Sequence, residues 1–291
     1  MKIIDIIQPD RPFISFEFFP PKDKAEWPAF FATVDRLAAL NPLFASVTYG
    51  AGGSTHDDTL EIVTRLKRQH GLETMAHLTC IGAKEEEILR FLDGLGNAGV
   101  DNVLALRGDP PKDRPHGLDG ERSLLYAADL VSFIRSSRPE VGVGVAGYPE
   151  THPEAASPEA DLAFLMAKME RGADFVVTQL FFDNSLYFDF VREVRALGCH
   201  KPIIPGILPV VNLKVIQRIL SLCGATVPPT FMAELEEADR RGGAAEVQKV
   251  GVAHARRQAK ELLAAGAPGV HLYTLNRSDA VSEIVDGLLP R

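Results

Sequence analysis

Only three cysteines occur, at positions 80, 199 and 223, too few and too far apart for a disulfide framework or a CxxC metal site; buried or inert thiols are expected. There is no excess of positive charge. Against 39 Asp and Glu stand 31 Lys and Arg, and the formal net charge of −8 offers nucleic acid backbones and anionic lipid no general attraction. No apolar run approaches the roughly 18–20 residues that span a bilayer. The opening, MKIIDIIQPDRPF, meets Asp5 and Pro9 before a secretory core can form. A cytoplasmic protein is expected, with neither nucleic acid nor membrane as partner. Low-complexity tracts, charge blocks and Ser/Gly-rich linkers are also missing, so residues 1–291 are expected to form one domain.

What the chain does have is an alternation of short β-branched or aromatic runs with longer stretches of helical apolar spacing. The strand-like runs are 14–18, 44–49, 74–79, 102–107, 141–147, 175–180, 202–207 and 270–275. Helical spacing covers 25–40, 56–69, 84–97, 124–137, 160–171, 185–197, 213–222 and 280–288, with additional helix over 231–265 that Gly242-Gly243 should break. Eight such units predict an α/β fold, a single (β/α)8 barrel with extra helices before the last strand, rather than an open doubly wound sheet. Gly142, Gly144 and Gly147 fit G-x-G-x-x-G, but they lie within a strand-like run and are followed by Tyr148-Pro149, where a dinucleotide fingerprint needs a turn opening a helix. No GxxxxGK[ST] string occurs. Any cofactor phosphates must therefore be held by barrel loops, helix N-termini and cationic side chains.

In a barrel of this type the site forms at the C-terminal strand ends. In order these carry Glu17; Thr48 and Tyr49; His77 and Thr79; Arg107 and Asp109; Tyr148 with His152; Gln179; Pro209 with Asn212; and Asn276 with Arg277. Period-2 alternation puts Ile14, Phe16 and Phe18 on one face of the first strand and Ser15, Glu17 and Phe19 on the other, which turns Glu17 into the barrel mouth. There, aromatic neighbours would desolvate it and raise its pKa towards the range of a general acid, the alternative being a structural ion pair. Arg107 and Asp109 read equally as a local salt bridge or a functional pair. His77 reads as a core or a site histidine, and His152, in a Pro-flanked segment, as a loop residue open to either role.

The strand-end segments FEFFPPK (16–22), SVTYGAGG (46–53), HLTC (77–80), ALRGDPP (105–111), GYPETHPE (147–154), TQLFFD (178–183), PGILPV (205–210) and LYTLNR (272–277) together resemble the bacterial methylenetetrahydrofolate reductases, in order and along nearly the whole chain. The resemblance implies a barrel holding FAD, reduced by NADH or NADPH and reoxidised by 5,10-methylenetetrahydrofolate in a ping-pong cycle. It implies Glu17 as the acid that opens the folate imidazolidine ring, Asp109 as the charge beside flavin and folate, and Gln179 as a contact to nicotinamide and folate in turn. Thr48, Tyr49, Ala51, His77, Arg107, Gly108, Asp109, Ala127, Tyr148, His152, Asp161 and Lys168 fall on positions used around FAD. Lys168 is the candidate diphosphate cation, or else a solvated helix lysine. Arg277 matches a folate contact. Phe164 and Ala167 depart from polar residues around FAD, and Val215 replaces a side chain able to hydrogen-bond folate. A homo-oligomer without a regulatory domain is implied. NADH, NADPH or a partner electron-transfer protein remain open as the electron source.

Three rivals are weaker. A metal-dependent hydrolase would use Glu17, His77, Asp109 and His152, yet no HxH pair lies on a strand. A Schiff-base aldolase needs a strand-end lysine that is missing. A flavin or folate binder without turnover has no need of an acid at Glu17.

Overall fold

The computed structural model describes residues 1–49, 56–108 and 124–289. A short helix α1 (Ile3–Ile6) precedes β1 (Phe13–Phe18), and the alternation then begins with α2 (Trp27–Ala38), β2 (Phe44–Val47), α3 (His56–Arg68), β3 (Thr74–Thr79), α4 (Glu85–Ala98) and β4 (Asn102–Leu106). It continues through α5 (Ala127–Ser137), β5 (Gly142–Gly147), α6 (Pro158–Glu170), β6 (Phe175–Leu180), α7 (Asn184–Ala196) and β7 (Ile203–Ile207). Two helices, α8 (Leu213–Cys223) and α9 (Pro229–Ala264), separate β7 from β8 (Gly269–Tyr273), and α10 (Ser278–Val285) follows. The strands close into one parallel barrel in sequence order, β8 pairing with β1. Each expected strand is present, with ends shifted by no more than two residues. Gly142 and Gly144 are paired residues of β5, as the rejection of a dinucleotide loop required.

Parallel strands covered on both sides need apolar residues on both faces, and alternation sorts them. Ile14, Phe16 and Phe18 face outwards into the cluster that holds Trp27, Phe30 and Val34 of α2. Phe13, Phe44, Met75, Leu104, Phe175, Val177 and Ile204 fill the barrel interior. This interior plug is the floor of the site, with Phe44 packed against Phe13 and Phe175 at ring-centroid distances of 6.0 and 6.3 Å.

The extra helices expected before β8 are present, broken at Gly242 and Gly243. The second half of α9, beyond the break at Gly242 and Gly243, contributes Val252, Ala255, Ala259 and Leu262 to the main core and so occupies the barrel's helical layer. Gly251 permits this docking, because a Cβ there would lie 1.9 Å from the Val210 carbonyl oxygen. Helix α8 instead joins a smaller cluster with Leu180, Leu208, Tyr273 and Leu275, at the ends of β6, β7 and β8. It is α8, with the first half of α9, that forms the excursion over the mouth.

Candidate active site

Four neighbouring strands bring one polar cluster together inside the barrel. Glu17 on β1 is only 5% exposed; its Oε2 lies 3.2 Å from His77 Nε2 on β3 and 3.5 Å from His271 Nε2 on β8. Ser46 on β2 donates its hydroxyl to the same oxygen at 3.4 Å. Behind them Ser15 Oγ stands 2.8 Å from His271 Nδ1, and the His271 ring stacks over Phe44 with centroids 5.5 Å apart. Strand register makes this possible, since Ser15 pairs with His271 and Glu17 with Ser46.

The electrostatics of this cluster correct the expectation for Glu17. Burial is the largest single influence on the carboxyl and does push its pKa up, but the attraction of His77 and then His271 outweighs it, and the pKa is lowered to about 2. Glu17 is therefore ionised across the neutral range. His271 is absent from the strand-end candidates, although alternation in Gly-Val-His-Leu-Tyr places it on the inward face with Tyr273.

A cavity of about 940 Å³ lies where the ends of β2–β5 meet α3 and α4; its walls include Tyr49, Thr79, Arg107, Gly108, Tyr148 and His152, with Leu60 and Phe91 from the helices. Gly108 adopts φ 83°, and a Cβ there would meet Thr79 Cβ at 2.8 Å, so the backbone itself forms the wall. Arg107 pairs with the Glu154 carboxylate, while Tyr148 and His152 meet edge to face at 4.6 Å. The carboxylate of Asp161 accepts the His152 backbone N–H at 2.9 Å and so fastens this loop. Lys168 reaches from α6 to the Ala146 carbonyl at 2.5 Å, and burial lowers its pKa to about 8. Ala127 is the first residue of α5. Thr48 is buried, and its hydroxyl has no hydrogen-bond partner among the described residues. The glycine wall, with the unused Thr48 hydroxyl next to Tyr49 in the chain, suits a polar cofactor.

Gln179 stands at a register shift, where Val177 pairs with Ile204 but Leu180 with Gly206, and this bulge re-aims β6 at the mouth. Its Oε1 accepts the Leu180 N–H at 2.9 Å. Arg277 is exposed at the start of α10. The departures are visible too: Phe164 is 59% exposed on α6, Ala167 is half-buried, and Val215 is 41% exposed on α8. Ala51 and Asp109 lie outside the described residues. Among the described residues, no three His, Cys, Asp or Glu side chains are grouped to hold a metal ion, and no helix is long and apolar enough to cross a membrane.

A family model described as methylenetetrahydrofolate reductase matches residues 2–288. The chain belongs to the methylenetetrahydrofolate reductase family. It is 38% identical over 269 residues to a 5,10-methylenetetrahydrofolate reductase of Escherichia coli (strain K12), covering 91% of this chain and 87% of that one. To methylenetetrahydrofolate reductase (NADH) 1 of Arabidopsis thaliana it is 40% identical over 290 residues, 95% of this chain but 49% of the relative, so it spans about half the length of that plant protein. Among solved structures, an uncharacterized protein from Clostridium thermocellum that binds two copies of 5-methyl-5,6,7,8-tetrahydrofolic acid superposes with a TM-score of 0.68 at 14% identity, covering 99% of this chain and 96% of that one, a likeness of fold. Within the methylenetetrahydrofolate reductase family, then, this chain carries a polar cluster inside the barrel and a cofactor-sized cavity at the ends of β2–β5.

Proposed function

We propose that the protein reduces 5,10-methylenetetrahydrofolate to 5-methyltetrahydrofolate with electrons from NADH or NADPH, using FAD as the carrier in a ping-pong cycle. The observation that carries this reading is the buried Glu17–His77–His271 cluster inside the barrel, in a chain of this family that also has a 940 Å³ cavity at the ends of β2–β5. FAD, when bound, supplies a store for a hydride between the two substrates. Tyr49, Arg107, Gly108, Tyr148 and His152 hold it along the cavity wall, Thr48 offers it an unused hydroxyl, Asp161 fixes the loop that carries His152, and Lys168 faces its diphosphate. Ala51, His77, Ala127 and Asp109 complete the set assigned from the family resemblance.

Glu17 delivers the proton that opens the folate ring at a nitrogen, leaving a 5-iminium cation to be reduced. Folate over the mouth excludes water and strengthens the desolvation that already favours a neutral carboxyl, which moves the Glu17 pKa up towards that of a proton donor. Gln179, aimed by its bulge, orients nicotinamide and then folate. Arg277 binds acceptor oxygens of the folate. The test is a spectrum of the purified protein supplied with FAD, then NADH or NADPH in separate anaerobic portions: bleaching by one names the donor, whereas failure to bind FAD overturns the reading.

Lys168 yields a pH dependence. Its pKa is lowered to about 8, so raising the pH through that value removes the charge that faces the diphosphate. FAD affinity is expected to weaken between pH 7 and 9.5, with proton uptake on binding near pH 8. In Lys168→Met the affinity is lower and this slope is gone. Titration by flavin fluorescence checks it, and an unchanged slope in the variant removes Lys168 from the site.

A further inference from the structure

The loop after β5 serves the cavity on one side and touches α8 on the other. Tyr148, His152 and Glu154 are cavity walls, with His152 fastened to Asp161 and Glu154 to Arg107. Between them Glu150 points elsewhere. Both of its carboxylate oxygens accept the backbone N–H of Thr226, at 3.1 and 3.0 Å, and Oε2 also accepts the Thr226 hydroxyl. Thr226 lies just past the C-terminal end of α8, whose cap Gly224 has φ 71°. A Cβ at Gly224 would meet the Pro153 ring at 2.8 Å, so the Pro153 side chain also packs directly on the backbone of Gly224. Thr151, next to Glu150, holds φ 71°, a left-handed conformation that a β-branched residue adopts only under constraint.

Helix α8 is thereby held at both ends. Asn212 caps its start by accepting the Lys214 and Val215 N–H groups at 2.9 and 3.2 Å, and Glu150 ties down its exit. Between these points Ile216, Ile219, Leu220 and Cys223 share a cluster with Leu180, Leu208, Tyr273 and Leu275. Leu180 is adjacent to Gln179, and Leu275 lies two residues before Arg277, so α8 covers the strand ends assigned to folate. A charge-assisted clamp therefore links the loop on the cofactor side to the helix on the substrate side.

We infer that Glu150 is a positioning residue: through Thr226 it holds α8 as the wall of the folate subsite, acting on substrate binding and not on the chemical step. The inference rests on the folate reading for its kinetic consequence, but the clamp itself is measurable without turnover. Amides of α8 in the wild type, Glu150→Ala, Thr226→Val and Thr226→Ser are compared by hydrogen exchange without added substrate. The FAD-loaded enzymes are then assayed for KM and kcat with 5,10-methylenetetrahydrofolate and, separately, for flavin reduction.

Losing the charge-assisted pair in Glu150→Ala is expected to speed α8 exchange roughly tenfold or more and to raise KM for folate by a similar factor. Thr226→Val, which keeps the N–H bonds, gives a smaller change in the same direction, and Thr226→Ser restores wild-type behaviour. FAD affinity, flavin reduction and kcat stay within about twofold, because Asp161 and Arg107 still anchor the loop. Unchanged exchange in Glu150→Ala overturns the clamp. Loss of FAD affinity in step with KM shows that Glu150 merely folds the cavity loop, and also overturns the proposal. Faster exchange in a protein whose wild type turns over no folate upholds the clamp and overturns the folate reading alone.

Discussion

Glu17→Gln is expected to slow folate reduction by roughly 10²–10⁴-fold while leaving flavin reduction by the nicotinamide within about twofold. The two half-reactions separate because only the folate step needs a proton delivered to a ring nitrogen. Glutamine keeps the shape and can still accept from Ser46, but it neither carries the proton nor holds the charge that attracts His77 and His271. Stability should follow a matching pH pattern. The Glu17 pKa falls from 4.5 unfolded to about 2 folded, so the stability it contributes is fully present above pH 4.5 and is lost as pH falls towards 2. The wild type's advantage over Glu17→Gln in thermal melts should shrink across that window. Equal folate rates in the two proteins would remove Glu17 from proton delivery.

Phe44→Ala should be the most destabilising of the substitutions named here, costing about 3–5 kcal/mol and lowering Tm on the order of 10 °C. Phe44 is fully buried at the centre of the barrel, packed against Phe13 and Phe175 and lying beneath the His271 ring. Neighbouring strands are hydrogen-bonded around a closed ring and cannot collapse into the gap, so the cavity term is retained. His271 loses its stacking partner at the same time, and the folate step should slow in protein that remains folded. A loss below about 1 kcal/mol in chemical denaturation would show that the interior relaxes freely around this position.

These two residues show what the sequence makes legible. Alternation in Phe-Ile-Ser-Phe-Glu-Phe is enough to assign Glu17 to the interior, and eight similar runs specify a closed barrel. His271 obeys the same alternation, but it sits mid-strand among apolar residues, and attention to strand ends passes over it. The lowered pKa of Glu17 is hidden for a related reason: burial is visible in the residues flanking it, whereas two imidazoles from β3 and β8 arrive only through closure of the sheet. Helix α8 reads as an ordinary barrel helix because its apolar spacing is helical in either role. Its partner Glu150 is 76 positions from Thr226, beyond the reach of any local pattern. The positions expected around FAD divide similarly. Tyr49, Arg107, Gly108, Tyr148 and His152 meet at one cavity, while Asp161 fastens the loop behind it.

The central claim is that this barrel passes a hydride from flavin to folate, and anaerobic reoxidation tests it most directly. The FAD-loaded protein is reduced with one equivalent of the nicotinamide that bleaches it, and 5,10-methylenetetrahydrofolate is then added while the flavin band is followed. Recovery of that band with formation of one equivalent of 5-methyltetrahydrofolate is the expected result. A reduced flavin that stays bleached in the presence of excess folate would contradict it.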